Sequence, residues 1–427
     1  MKVLLLSPNY APELTGVGRY SGEMAAWLAA RGHEVRVVCA APHYPAWQVA
    51  EGYSGAVYRA ELVDGVRVLR CPLYVPARPT GLRRLLHLLS FALTSLLPTL
   101  WIALRRRPDV VLVVEPPLAC APAALLAARL SGAAAWLHVQ DLEVDAAFEL
   151  GVLRASWARR ALLSTERWLL SRFDRVSSIS GQMLERLQEK GVPSQRLKAF
   201  PNWTDLAQIR PLTEPSSLRQ EWGIAEDNIV MLYSGSLGAK QGLELLVEVV
   251  RLLPESTKAI LVICGEGPAK ATLQALVGDS SRFRFLPLQP MERLNALLNA
   301  ADIHLLPQRA GAEGLVMPSK LAGMMASGKP VIACASDGTD VARVVAGCGE
   351  VVAPGDAVGF AAAVEKLASA PALRQEYGAR GRERAAAIWD RDHILAEVFE
   401  SGPLLPSRAP AAEGSSAASG DRGPDPA

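Results

Sequence analysis

The chain has 427 residues, enough for two or three domains of ordinary size. Half of the residues are hydrophobic and 21% are charged, which is typical of a globular protein and excludes wholesale disorder. The net charge of +2 excludes an evenly basic nucleic-acid binder, but residues 1–200 hold 24 Lys and Arg against 16 Asp and Glu. Residues 201–427 hold 21 Lys and Arg against 27 Asp and Glu. We therefore expect the first half to face an anionic surface or ligand, and no nucleic acid.

The cysteines and the first residues indicate a reducing compartment. Six cysteines are scattered without a Cys-x-x-Cys pair or a metal-type spacing, which is typical of buried thiols. The apolar run Val3–Leu6 is shorter than the core of a signal peptide, and polar residues follow it at once. We therefore interpret this run as a buried strand and expect a cytoplasmic protein.

Short apolar runs alternate with helical patterns in two series, which a proline-rich stretch at 201–217 separates. The first series of predicted strands is Val3–Leu6, Glu34–Cys39, Val110–Val114, Ala134–Val139 and Val176–Ile179. The second series is Ile229–Tyr233, Ile260–Cys264, Phe283–Leu286, Ile303–Leu306 and Val331–Cys334. This alternation predicts an α/β protein with two doubly wound, Rossmann-like domains facing each other across a cleft. Residues 402–427, rich in Pro, Ala, Gly and Ser, predict a disordered tail.

Two stretches of the first half are hydrophobic and basic. Leu85–Leu104 is almost entirely apolar, and arginines bracket it within residues 83–107. Three interpretations fit it: a helix that dips into the membrane interface, which we favour, an ordinary buried helix, or a membrane span. Residues 154–172 mix five arginines with tryptophan and leucine. This second stretch is either a basic amphipathic surface helix or a solvated helix packed on the sheet.

Glycine-rich loops follow predicted strands at the end where ligands of open α/β sheets bind. After the first strand come Gly16, Val17 and Gly18, whose spacing is not that of a dinucleotide fingerprint. Two loops of the second domain repeat the arrangement with Gly235 and Ser236 in one and Gly265, Glu266 and Gly267 in the other. Backbone N–H groups in such loops can approach a phosphate closely, and tight β–α turns are the alternative interpretation.

A helix start in the second domain carries a second kind of anion signal. Pro318 suits the first turn of a helix, and Ser319 and Lys320 lie in that turn. Free N–H groups, a hydroxyl and an ammonium would converge there on a diphosphate. A lysine at this position opposes the helix dipole, which is consistent with an anion lying between them.

Taken together, these motifs resemble those of family 4 retaining glycosyltransferases of GT-B fold, and within that family the bacterial colanic acid and exopolysaccharide transferases. The resemblance spans nearly the whole ordered chain. The strings that carry it are residues 10–18, 45–48, 70–76, 138–145, 200–202, 234–244, 265–267 and 327–330.

The resemblance implies that residues 1–205 bind the acceptor and residues 206–385 the nucleotide-sugar donor. It also implies that residues 386–401 form a helix that crosses back to the first domain. Transfer would retain the anomeric configuration without a metal or another cofactor, since the nucleotide-sugar is itself a substrate. The only Asp-x-Asp, at 390–392, is better explained as a helix cap.

The chain departs from the family pattern at the positions of two usual carboxylates. These positions fall on Leu315 and Gly323, and only Glu313 lies near. The usual arginine falls on Ser236, and the usual lysine falls on Gln241 with Lys240 alongside. We therefore expect Lys240 and Lys320 to supply the positive charge at the donor site.

The resemblance places an active-site histidine at His138, at the end of a predicted strand. We expect this imidazole to make a polar contact with the transferred sugar rather than to attack it. Asp141 follows and is a candidate to orient the acceptor or the histidine, or else a solvated loop acid. Tyr10 and Leu321, which lie in the matching motifs, are further candidates for substrate contact.

These expectations define a reaction in which a sugar moves from a nucleotide diphosphate to a lipid-linked sugar at the inner face of the cytoplasmic membrane. The resemblance suggests GDP-fucose as donor, although no residue pattern selects guanine over uracil. Two alternatives use the same architecture: a nucleotide-sugar epimerase that needs no acceptor, and a non-catalytic scaffold that binds nucleotide-sugar at the membrane.

Overall fold

In the computed structural model the chain forms two α/β halves, each built on its own sheet. The residues that the structure describes are 1–14, 16–77, 81–142, 156–214, 216–238, 241–309 and 317–401. The predicted tail, 402–427, lies outside them, as does the first part of the predicted basic helix at 154–172.

The first half holds eight strands among its described residues. They are β1 (Lys2–Leu6), β2 (Glu34–Ala40), β3 (Arg59–Val63), β4 (Val66–Cys71), β5 (Val110–Glu115), β6 (Ala134–Val139), β7 (Arg175–Ser178) and β8 (Leu197–Ala199). Their spatial order is β3-β4-β2-β1-β5-β6-β7-β8, and only β3 is antiparallel to its neighbour. β5 is buried at every position, since helices cover both faces of the sheet.

Helices on the two faces of this sheet enclose separate hydrophobic cores. The helices are α1 (Gly16–Ala30), α2 (Gly81–Arg106), α3 (Ala121–Ser131), α4 (Ser156–Leu170) and α5 (Gly181–Glu189). α1 packs with Trp27 and Leu28 on one face, whereas α2, with Phe91, and α3 pack on the other. Because every strand but β3 runs parallel to its neighbours, the starts of α1 and α2 lie near the carboxyl edge of the sheet.

The second half holds a six-stranded sheet that is entirely parallel. Its strands are β9 (Ile229–Ser234), β10 (Ala259–Cys264), β11 (Phe283–Leu286), β12 (Ile303–Leu306), β13 (Val331–Cys334) and β14 (Gly349–Val352), in the order β11-β10-β9-β12-β13-β14. Its helices are α6 (Leu218–Glu221), α7 (Glu244–Leu252), α8 (Lys270–Val277), α9 (Met291–Asn299), α10 (Ser319–Ala326), α11 (Asp340–Val345), α12 (Ala357–Ser369) and α13 (Pro371–Trp389). The predicted fold class, two Rossmann-like halves, is confirmed.

The last described helix, α14 (Arg391–Phe399), returns to the first half. Leu395 and Phe399 join the core beneath α1, and the indole nitrogen of Trp27 donates to Asp392 at 2.6 Å. The helix predicted at 386–401 is broken at Asp390, whose side chain accepts from the backbone N–H of His393 and so caps α14. Trp389 therefore belongs to the preceding helix, α13.

Helix α2 shows how the hydrophobic stretch at 85–104 is accommodated. It is 26 residues long, and by length and composition it is apolar enough to cross a membrane. One of its sides packs against the sheet and α3 through Phe91, Ile102 and Ala103. The opposite side exposes a row of large apolar residues: Leu82, Leu85, Leu86, Leu89, Leu93, Leu97, Trp101 and Leu104. The helix is thus buried along one side only, with an apolar outer face.

Candidate active site

Lys320 lies at the start of α10 and reaches back to the first strand of the second sheet. Its amine donates to the hydroxyl of Tyr233 at 2.8 Å and lies 4.1 Å from the centre of that ring. The Tyr233 hydroxyl in turn donates to the carbonyl of Ser236 at 2.6 Å. The lysine is thereby fixed beside the glycine loop that follows β9.

The surroundings of Lys320 favour an anionic ligand. Burial lowers the pKa of Lys320 to about 7, since removal from water disfavours the charged amine. A Cβ built on Gly235 would lie 3.4 Å from the amine, so only a glycine leaves the loop backbone open beside it. Among the described residues no side chain caps the start of α10, and first-turn N–H groups of a helix are suited to a phosphate.

The two glycine loops of the second half support each other. A Cβ on Gly265 would lie 1.9 Å from the carbonyl oxygen of Gly235, and one on Gly267 would lie 2.5 Å from that of Leu237. The backbone N–H of Leu237 donates to the carbonyl of Glu266 at 2.9 Å. Gly265 and Gly267 are therefore required for close packing of the loops, which sets the position of Gly235.

The start of α1 meets the start of α10 across the cleft. Gly16 begins α1 with a φ of +61°, and a Cβ on Gly18 would lie 2.5 Å from a carboxylate oxygen of Glu13. Two residues further on, the side chain of Tyr20 lies beside that of Ser319. The predicted glycine loop of the first half and the predicted phosphate site of the second half are thus brought together.

His138, at the end of β6, is buried and held on both ring nitrogens. Nδ1 lies 2.9 Å from the hydroxyl of Ser177, and Nε2 lies 2.9 Å from the amide nitrogen of Gln140. Gln140 also exchanges two hydrogen bonds of 3.1 Å with Asn202. Burial lowers the pKa of His138 to about 3, so the imidazole is neutral at pH 7. A contact between Nε2 and a sugar requires the Gln140 amide to move aside.

Asn202 connects this network to the donor side. It lines a small space between the halves together with Pro318 and Ser319. That space holds only about 10 Å³, so a nucleotide-sugar could enter there only if the halves moved apart. A larger cavity of about 500 Å³ lies along α1, next to Trp27, Met291 and Asp392, and Lys320 does not line it.

The remaining predicted site residues either lie in hydrophobic cores, lie elsewhere on the surface or fall outside the described residues. Tyr10 is 2% exposed and Leu321 is fully buried, so both side chains belong to hydrophobic cores. Glu266 pairs with Lys270 at 2.7 Å, and Asp141 is half-buried after β6. Lys240 and Glu313 lie outside the described residues. The roles assigned to all of these residues stay predictions, and burial argues against side-chain contact for Tyr10 and Leu321.

Sequence reasoning gave no role to the side chains of three buried polar residues. Glu13 is a buried carboxylate that accepts from the backbone N–H groups of His43 and Tyr44 at 2.9 and 3.0 Å. The side-chain oxygens of Gln241 and Gln308 are buried, and neither has a hydrogen-bond partner in the described part of the chain. An isolated glutamate in a loop has no spacing pattern that marks it as functional in the sequence. The same is true of single glutamines that follow strands.

Between 1 and 401, the described residues contain no group of three potential metal ligands.

Two facing Rossmann-like halves, with helix starts converging between them, define a GT-B glycosyltransferase architecture. Residues 15–203 match the model of the glycosyl transferase 4-like domain, and residues 216–384 match that of the glycosyl transferases group 1. The chain belongs to this glycosyltransferase family.

The relatives agree with this assignment. The chain is 39% identical over 410 residues to the putative colanic acid biosynthesis glycosyl transferase WcaI of Escherichia coli (strain K12), covering 93% of this chain and 99% of that protein. It is 28% identical over 272 residues to the probable glycosyltransferase WbjE of Pseudomonas aeruginosa, covering 61% of this chain and 66% of that protein. The predicted resemblance is therefore confirmed.

Solved structures share the fold. Sucrose-phosphate synthase from Thermosynechococcus elongatus superposes with a TM-score of 0.72 at 19% identity, covering 93% of this chain and 96% of that one. HepE of Anabaena in complex with UDP-glucose superposes with a TM-score of 0.68 at 16% identity, covering 94% of this chain and 100% of that one. At these identities the likeness establishes the fold alone.

Proposed function

We propose that this glycosyltransferase moves a sugar from a nucleotide diphosphate to a lipid-linked oligosaccharide in exopolysaccharide biosynthesis, with retention of configuration and without a metal. The observation that carries the proposal is the Lys320 amine, held against Gly235 at the open start of α10. A cation and the first N–H groups of a helix at one point are suited to a diphosphate. The UDP-glucose bound by HepE and the colanic acid role named for WcaI support the choice of substrates.

The reaction is a displacement on one face of the donor sugar. The bond between the anomeric carbon and the diphosphate oxygen breaks, and its electron pair leaves with the diphosphate. The acceptor hydroxyl forms the new bond on the same face and gives its proton to the departing diphosphate. Lys320 and the N–H groups at the start of α10 stabilise the charge on the leaving group. Closure of the halves through Tyr20 and Ser319 excludes water.

The apolar face of α2 supports a membrane location for the acceptor. Arg83 and Arg84 follow Leu82 at the start of the exposed row, and Arg105 and Arg106 follow its last residue, Leu104, so both ends of the face are basic. A helix of this kind lies in the plane of an anionic membrane with its apolar side in the acyl region. We therefore place the enzyme on the inner face of the cytoplasmic membrane, where lipid-linked sugars would reach it.

The test is a panel of nucleotide-sugars, beginning with GDP-fucose and UDP-glucose, incubated with the enzyme and a bacterial membrane lipid extract. We expect a glycosylated lipid from one donor, and we expect Lys320→Ala to lose more than about 100-fold in rate, as removal of one charge-stabilising donor does elsewhere. Lys366→Ala is the matched control, since that lysine pairs with Glu350 on an exposed surface. Free epimerised sugar released from donor alone would favour the epimerase, and near-normal transfer by Lys320→Ala would contradict the proposal.

A further inference from the structure

A cluster of aromatic rings in the first half has no part in donor binding. His43 and Trp47 come from the loop after β2, and His87 comes from the second turn of α2. The His43 and His87 rings are 5.0 Å apart, and the Trp47 ring lies 5.1 Å from His87 and 6.3 Å from His43. The string at 45–48 was one of the motifs that carry the family resemblance, yet the proposed reaction gives it no role.

The backbone holds Trp47 in an unusual conformation. Its φ is +53°, in the left-handed region that a bulky side chain rarely adopts. The loop that follows β2 is held by Glu13, whose carboxylate accepts hydrogen bonds from the backbone N–H groups of His43 and Tyr44. A strained residue persists only where its surroundings over-determine it, and such residues concentrate at ligand sites. The half-buried indole is therefore held in one place.

Each of the two imidazoles has one ring nitrogen that can accept a hydrogen bond. Nδ1 of His43 lies 3.0 Å from the carbonyl oxygen of Ala41, and Nδ1 of His87 lies 2.7 Å from that of Tyr74. Because a carbonyl oxygen only accepts, both Nδ1 atoms carry the hydrogen and both Nε2 atoms keep their lone pairs. Burial lowers the pKa of each histidine, for His87 to about 4, so both rings stay neutral at pH 7.

The cluster stands between the catalytic cleft and the apolar face of α2. On the cleft side, the exposed Tyr44 ring lies 3.7 Å from where a Cβ on Gly16 would be, at the start of α1. On the other side, His87 follows Leu86, which belongs to the exposed apolar row. A molecule with a lipid on α2 and a sugar at the start of α1 would thus pass over these rings.

We propose that Trp47, with His43 and His87, forms the subsite for the terminal sugar ring of the acceptor. The indole offers an apolar face to the C–H groups of a pyranose, and the two Nε2 atoms accept hydrogen bonds from its hydroxyls. The inference rests on the proposed function for the identity of the acceptor. It adds the residues that recognise its sugar, and it separates them from the residues that bind the donor diphosphate.

The experiment compares wild-type enzyme with Trp47→Ala and Trp47→Phe. The probe is a farnesyl-diphosphate-linked disaccharide, with farnesyl diphosphate lacking sugar as a competitor. For Trp47→Ala we expect the KM of the sugar-bearing probe to rise about tenfold or more, while kcat, donor affinity and inhibition by farnesyl diphosphate stay within twofold. Trp47→Phe keeps an aromatic face and is expected to restore the KM to within about threefold.

Direct binding of the same probe by calorimetry needs no turnover and separates the two proposals. Binding to wild type that Trp47→Ala weakens about tenfold supports the subsite even where no transfer occurs, in which case only the proposed reaction fails. Equal binding to both forms overturns the subsite. A Trp47→Ala variant that loses donor affinity to the same extent as acceptor affinity also overturns it, since the indole would then serve only to hold the loop.

Discussion

The amine of Lys320 and the hydroxyl of Tyr233 lie 2.8 Å apart, although 87 residues separate them in sequence. Because Tyr233 gives its own hydrogen to the carbonyl of Ser236, its oxygen is an acceptor for the amine. The ring beneath the amine adds a cation–π contact at 4.1 Å. These neutral partners position the lysine without neutralising it, which leaves its charge for a diphosphate.

The affinity for donor should depend on pH through Lys320. Its pKa of about 7 means that the amine is charged below pH 7 and loses its proton above. A bound diphosphate stabilises the charged form, so affinity for a nucleotide-sugar is greatest below pH 7. Above it, affinity falls by up to about tenfold per pH unit until the pKa of the complex is reached. Titration of wild type and Lys320→Met between pH 6 and 9 measures this, and an equal slope in both would assign the dependence to another group.

The same lysine should reduce the stability of the free enzyme. Its pKa is lower in the folded chain than in the unfolded chain, so the unfolded state binds more protons between pH 7 and about 10.5. Stability therefore rises with pH across that window. We expect Lys320→Met to raise the free energy of unfolding by about 1–2 kcal/mol at pH 7 and to lose this advantage towards pH 10. Thermal melts at both pH values test the sign, and a destabilised variant at pH 7 would contradict it.

Much of the fold follows from the apolar runs of the sequence. β6, β11, β12 and β13 have the bounds that the runs predict, because buried parallel strands consist almost wholly of apolar residues. β3 and β4 were missed because exposed residues interrupt them at the edge of the sheet. Their turn at Asp64 and Gly65, both with positive φ, is a hairpin signal that was present in the sequence.

The site could be predicted only in part. Lys320 follows from its place after Pro318 at a helix start, which is a local pattern. Tyr233 did not follow, because a tyrosine in an apolar strand is typical of a core residue and its partner is distant in sequence. The clamp by Glu13 depends on backbone groups of a separate loop, and no spacing in the sequence encodes that contact.

Gly265→Ala should destabilise the second half. A Cβ there would lie 1.9 Å from the carbonyl oxygen of Gly235, so one glycine loop must move away from the other. We expect a loss of about 3 kcal/mol or more in the free energy of unfolding, and weaker donor binding in the fraction that folds. Gly278→Ala is the matched control, because Gly278 has a φ of +60° with nothing within 4 Å. Because Gly278→Ala introduces backbone strain but no clash, it should lower the free energy of unfolding by only about 1 kcal/mol. Chemical denaturation measures both variants. An equal loss in the free energy of unfolding for Gly265→Ala and Gly278→Ala would show that the two glycine loops are not tightly packed.

Tyr20→Phe should weaken closure of the cleft. The change removes the hydroxyl that lies beside Ser319 but keeps the edge-to-face contact of the ring with Trp203 at 5.2 Å. A polar contact that forms on closure contributes about 1 kcal/mol, so we expect the donor KM to rise about fivefold with little change in thermal stability. Steady-state kinetics with the active donor measures the effect. Ser319→Ala should reproduce the effect on KM, and the double variant should add little if both changes act through this one contact.

Charging the outer face of α2 should detach the enzyme from membranes. Leu93 and Leu97 are 72% and 74% exposed and lie one turn apart on the apolar row. Burying two leucines in the acyl region contributes about 3 kcal/mol, so Leu93→Glu with Leu97→Glu should lower affinity for phosphatidylglycerol vesicles at least 100-fold in sedimentation assays. Leu252→Glu, on an exposed position of α7, is the matched control and should bind as wild type does. Transfer to a water-soluble acceptor should persist in the double variant, because the change lies outside the cleft. Undiminished vesicle binding would mean that another surface holds the membrane.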